Sequence, residues 1–79
     1  MRNRVLTVRA IWDPDASVWV ATSEDIPGLA TEAPTVEALT EKLKVMIPEL
    51  LDANGIGDGD EVPFQLHSTR TVITSRHAA

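Results

Sequence analysis

The chain predicts an α+β domain of order β-β-β-α-β, an antiparallel sheet with one helix packed on one face. Three observations carry this. A period-two run over residues 4–12 is answered by a second over 18–23 across a Pro-containing turn. An apolar stripe at helical spacing runs from Val36 to Leu51. A last alternating run starts at Val62. Strands gathered before a single helix, with one strand after it, are accommodated by a sheet that carries the helix across one face.

In the first run, Leu6, Val8, Ala10 and Trp12 share one side, and Val5, Thr7, Arg9 and Ile11 the other. "DPDAS" follows with turn chemistry, and "VWVATS" forms the second arm of a hairpin. In that arm Val18 and Val20 share one side, Trp19 and Ala21 the other. The stretch "SEDIPGLATEAPTVEALTEKL" then raises a question, because a turn, a short strand and a helix start are crowded into it. Pro27 presets φ for the first corner position and Gly28 tolerates a positive φ at the second, so Ile26, Pro27, Gly28 and Leu29 read as a structural corner. "LAT" offers a short third strand, and Thr35 is a helix N-cap with Glu37 in the first turn.

Val36, Leu39, Leu43, Met46, Ile47, Leu50 and Leu51 form the helix stripe. Pro48 within it removes one backbone donor and predicts a kink or a separated last turn. Asn54-Gly55 stops the helix. "GIGDGDEV" reads as a loop. "VPFQLHSTRTVIT" reads as the final strand, starting or lying at an edge because of Pro63; its phase weakens at "HSTRT" and is ambiguous at Val72-Ile73, which leaves room for a bulge there. The ordered core is expected over 4–74, with 75–79 a frayed tail, all within one domain of 79 residues.

Composition narrows the function classes. There is no cysteine, so disulfides and thiolate metal sites are excluded. No signal-peptide pattern or membrane-length apolar stretch is seen, which points to a cytoplasmic protein. Seven basic residues against twelve acidic ones, net −5, disfavour direct nucleic-acid binding and suit a basic protein partner.

Candidate chemistry is sparse. His67 and His77 are the only histidines and show no zinc-ligand spacing; His67 reads as an ordinary strand histidine. Asp13 and Asp15, and Asp58, Asp60 and Glu61, have the look of calcium-loop fragments, but the second group lacks the spacing and terminal glutamate of such a loop. The glycines of "GIGDG" do not open a helix, as a phosphate cradle requires. Ser17, Ser23, Ser68 and Ser75 lack a nucleophile context. The expectation is a non-enzymatic protein with no cofactor and no metal. Trp12 and Trp19 flank the hairpin turn, where they pack across the strands unless one of them anchors an interface on the helix-free face. Val5, Thr7, Arg9, Ile11 and Trp19 are therefore the candidate partner-binding residues. A small core also favours self-association, and a dimer is expected.

A hairpin ending in "VATSEDIPGLATEAPTVEALTEKL", followed by a helix and one strand, resembles the HicB-like antitoxin domain over residues 4–74. It is most similar to the short HicB-like branch that consists of this domain alone. The resemblance implies a partial ribonuclease-H-like sheet with a helix. It also implies neutralisation of a small basic HicA-like ribonuclease toxin by covering its active site. Typical members carry a further DNA-binding segment; here only "SRHAA" follows Thr74, so operator binding is not carried over. The carboxylate set of an active ribonuclease H is not matched either. The alternatives to a protein-binding module are a self-associating structural domain and a small-molecule- or metal-responsive domain using the Pro27 turn or the "DGDE" loop.

Overall fold

The computed structural model describes residues 4–57 and 61–77. The elements are β1 (Leu6–Asp13), β2 (Val18–Thr22), β3 (Ala30–Ala33), α1 (Val36–Ala53) and β4 (Phe64–Thr69). They form one four-stranded sheet in the order β3-β2-β1-β4. The α+β class and the β-β-β-α-β order match the sequence expectation.

The sheet is mixed rather than antiparallel. β1 and β2 pair antiparallel, as do β2 and β3, but β4 lies parallel to β1, with Leu6 opposite Phe64 and Ile11 opposite Thr69. The cause is the helix. Its 18 residues return the chain by about 27 Å. That brings it back to the end where β3 began, so β4 runs in the direction of β3, which is also that of β1.

Paired residues share a face. Leu6, Val8 and Ala10 on β1, Ala21 on β2 and Ala33 on β3 are buried beneath α1. Phe64 and Leu66 pack beside them from β4. The helix contributes Leu39, Leu43, Ile47 and Leu51, the innermost line of the predicted stripe. Alanines in the sheet beneath leucines in the helix let the two layers approach closely.

The hairpin turn is held by Asp13. Its Oδ1 accepts from the backbone N–H of Asp15 at 3.0 Å and of Ala16 at 3.3 Å, and its carbonyl accepts from Ser17 N–H at 2.8 Å. Ser17 pays for this closure with a φ of 57°. Left-handed backbone costs a non-glycine residue about 1–2 kcal/mol, and glycine gives back part of that in chain entropy. Ser17→Gly is therefore expected to raise the unfolding free energy by up to about 1 kcal/mol. Chemical denaturation checks this, and a loss of stability would contradict the strain assignment.

Thr35 caps α1 as expected, its Oγ1 accepting from Ala38 N–H at 3.0 Å. Thr35→Ala should cost about 1 kcal/mol, and Thr35→Ser should recover most of it. Thermal unfolding of both variants gives the comparison.

At the other end Gly55, at φ 64°, donates to the Asp52 carbonyl and Ile56 donates to that of Leu51. This is a Schellman closure. Pro48 does not divide the helix, which runs unbroken from Val36 to Ala53. Pro48 and Lys44, four residues earlier, are both exposed. The carbonyl that loses its donor therefore faces solvent, and the cost of the proline is reduced there.

β4 ends at Thr69, short of the strand expected through Thr74 and within the stretch where the alternation weakens. Val72 and Ile73 are 72% and 94% exposed, outside any strand and outside the core. β1 terminates at Asp13, which would stand level with Thr71, so the chain beyond has no neighbour strand within this copy.

Candidate functional site

The corner at residues 23–29 is architecture throughout. Ile26, Pro27, Gly28 and Leu29 form a β-turn closed by Leu29 N–H to the Ile26 carbonyl at 3.2 Å, with Gly28 at φ 83°. Ile26 and Leu29 are both buried, so the turn drives two aliphatic side chains into the core beside the helix. A Cβ at Gly28 would meet Leu50 Cδ2 at 3.7 Å; the positive φ, not space, is what calls for glycine.

The polar residues before the turn replace a missing strand. β1 and β2 pair through Arg9 and Thr22, and beyond that point β2 has ended. Ser23 Oγ donates to the Thr7 carbonyl at 2.6 Å. Asp25 Oδ2 accepts from Thr7 N–H at 2.8 Å. Two side chains thus satisfy the donor and acceptor of Thr7 that a longer β2 would have paired. Asp25 N–H donates back to Ser23 Oγ at 3.0 Å, and Arg4 forms an ion pair with the Asp25 carboxylate.

The candidate interface residues do not form one surface. Arg9 and Ile11 lie exposed on the sheet face that α1 leaves uncovered, Ile11 at 63%. Val5 is exposed just before β1 begins. Thr7 is half-buried, its backbone held by Ser23 and Asp25. Trp19 is the correction: it pairs with Trp12 and Ala33 and packs against the core on the helix side. Strand alternation places it with buried Ala21, so it cannot anchor the open face. The two indoles meet edge-to-face at 5.5 Å between centroids. The guanidinium of Arg70 sits 4.3 Å from the Trp12 ring centroid.

The open face carries Val18 and Val20, both half-buried, beside Ile11, and is otherwise polar. His67 is exposed there, its Nε2 3.0 Å from Gln65 Oε1. Among the described residues no group of three or more His, Asp or Glu side chains could hold a metal ion. Asp13 is engaged in its turn; Asp58 and Asp60 of the "DGDE" loop lie outside the described residues. No helix among the described residues is long and apolar enough to cross a membrane.

A feature missed by sequence reasoning is the distribution of charge. The segment 64–79 holds Arg70 and Arg76 and no acidic residue, for +2. Residues 1–63 hold five basic side chains against twelve acidic ones, for −7. Counting charge by segment would have revealed it.

Comparison with known proteins places this arrangement in a family. The model of a domain of unknown function, DUF1902, matches residues 5–75. The chain belongs to the DUF1902 family. The match spans every strand and the helix, so the family is defined by this whole architecture rather than by a local motif. The crystal structure of a hypothetical protein, TTHA1013, from the extremely thermophilic bacterium Thermus thermophilus is similar. It is 52% identical, with a TM-score of 0.78, and the match covers 90% of this chain and 100% of that one. No curated protein matches the chain.

Proposed function

We propose that this DUF1902 protein is a non-enzymatic protein-binding module of antitoxin type, whose partner is a small basic ribonuclease of the HicA kind. The observation that carries the reading is an uncovered sheet face on a body with twelve acidic against five basic side chains over residues 1–63. Such a body attracts a cationic protein over distances of a Debye length, about 8–10 Å at physiological salt. The resemblance of the "IPGLATEAPT" passage and the order of elements to HicB-like antitoxin domains adds the partner class. Polar residues at the two ends of that passage are taken up by the fold, Ser23 and Asp25 just before it at Thr7 and Thr35, its last residue, at the helix start. This leaves the exposed sheet face and strand edges as the recognition surface.

The test is affinity capture of the tagged protein from its own cells at moderate salt, followed by an RNA-cleavage assay on what is recovered. Recovery of a small basic protein, released by added salt and inhibited as a ribonuclease by the bait, is the expected result. Recovery of the bait alone, or of a ribonuclease that stays active in the complex, would overturn the reading.

A further inference from the structure

We infer that the segment following β4, residues 70–76, is the docking strand for a second copy of this chain. The two copies' segments pair antiparallel about a two-fold axis between Val72 and Ile73, so that Val72 of one copy stands opposite Ile73 of the other on each face of the ribbon, and Arg70 stands opposite Ser75. The inference does not rest on the antitoxin reading, and it is tested on the purified protein alone.

Three observations support it. First, the segment has strand chemistry without a strand's partner. "TVIT" is rich in β-branched residues, and among the described residues the backbone groups of Thr71, Val72, Ile73 and Thr74 form no hydrogen bond. An antiparallel two-fold pairing satisfies them, because each copy supplies the donors and acceptors that the other lacks.

Second, its apolar side chains are presented outward. Val72 and Ile73 are the two most exposed large hydrophobic residues described, and they border an open groove with Ile11, Trp12 and Pro14. The start of the segment is anchored on its own body by Arg70 over Trp12, and Val72 and Ile73 beyond that anchor lie outside the core. The radius of gyration is 15.4 Å, against about 12 Å for a compact chain of this length, in line with a projecting segment.

Third, the charges match. An antiparallel partner strand runs back toward this copy's body, bringing the basic 64–79 segment of one copy against the acidic remainder of the other, whose hairpin carries Asp13 and Asp15. The opposite edge of the sheet is a poorer target. Lys42 Nζ donates to the Glu32 backbone oxygen at 2.6 Å and so places a lysine on an acceptor of β3, a common way of blunting an edge strand.

The experiment is sedimentation equilibrium on the full chain and on Val72→Asp/Ile73→Asp, with circular dichroism and thermal unfolding as controls. The substituted side chains lie outside the core, so the variant is expected to fold. The native chain should be dimeric at micromolar concentration, and the variant should raise the dimer dissociation constant about thirtyfold or more. Ile73→Pro, which removes one strand donor, should weaken the dimer in the same direction. A monomeric native chain would overturn the inference. So would a dimer whose affinity is unchanged in the folded variants, since that places the interface elsewhere on the molecule.

Discussion

Leu43→Ala is expected to lower the unfolding free energy by about 3 kcal/mol, within the range for emptying a fully buried aliphatic position. Leu43 has no exposed surface and lies mid-helix between Leu39 and Ile47, which are equally enclosed. The sheet beneath it is floored by small residues, Ala10, Ala21 and Ala33 among them. Alanine facing alanine leaves a void that a strand backbone cannot close without breaking its ladder, so little relaxation is available. The loss is large against the whole, because a domain of this length has a total stability of about 4–12 kcal/mol. A fall in melting temperature of about 10–20 °C should accompany it. Val45→Ala, on the exposed side of the same helix, should change stability by less than about 0.5 kcal/mol and serves as the control. Urea unfolding of both variants decides it. If the Leu43 variant lost less than about 1 kcal/mol, the helix would not be seated on the sheet as described.

Asp25→Ala should be the next most damaging change, at about 2 kcal/mol. The carboxylate is the acceptor for Thr7 N–H and the partner of Arg4, and it stands where the β1–β2 ladder runs out. Alanine strips the acceptor from a part-buried backbone donor and releases the segment that leads into the Ile26–Leu29 turn. Asparagine keeps an acceptor oxygen while losing the charge, so Asp25→Asn should retain about half of the lost stability. Arg4→Ala, by contrast, should cost about 0–1 kcal/mol, since that guanidinium is mostly exposed. Equal losses for Asp25→Ala and Arg4→Ala would mean that the ion pair, not the backbone contact, is what Asp25 provides. Hydrogen exchange at the Thr7 amide offers a direct check, with faster exchange expected in Asp25→Ala.

Much of the fold was legible in local chemistry. Thr35 as N-cap, Asn54-Gly55 as helix stop and Pro27-Gly28 as a corner were each indicated by residue types whose backbone preferences act within a few positions. Pro63 marked the entry to an edge strand for the same reason. The candidate site was less legible. Thr7, Arg9 and Ile11 lie on the open face, with the backbone of Thr7 held by Ser23 and Asp25, whereas Trp19 belongs to the other side of the sheet. The β-branched run up to Thr74 suggested a continuing strand, with an ambiguous phase at Val72-Ile73, but a strand exists only where a neighbour supplies hydrogen bonds, and beyond Thr71, level with the end of β1 at Asp13, this copy has none among the described residues.

By itself, the sequence determined the elements: the order β-β-β-α-β, the hairpin, the corner, and the stripe that buries α1. These follow from periodicity, capping and turn geometry, which are properties of neighbours along the chain. Only the tertiary structure decided that β4 runs parallel beside β1, that both tryptophans lie on the helix side, and that Ser23 and Asp25 complete the ladder at Thr7. A two-residue period separates two faces without saying which one a helix will cover. Pairing between strands far apart in the chain depends on where the helix returns it. Such contacts are made between distant segments, so their geometry appears only when the layers are packed together.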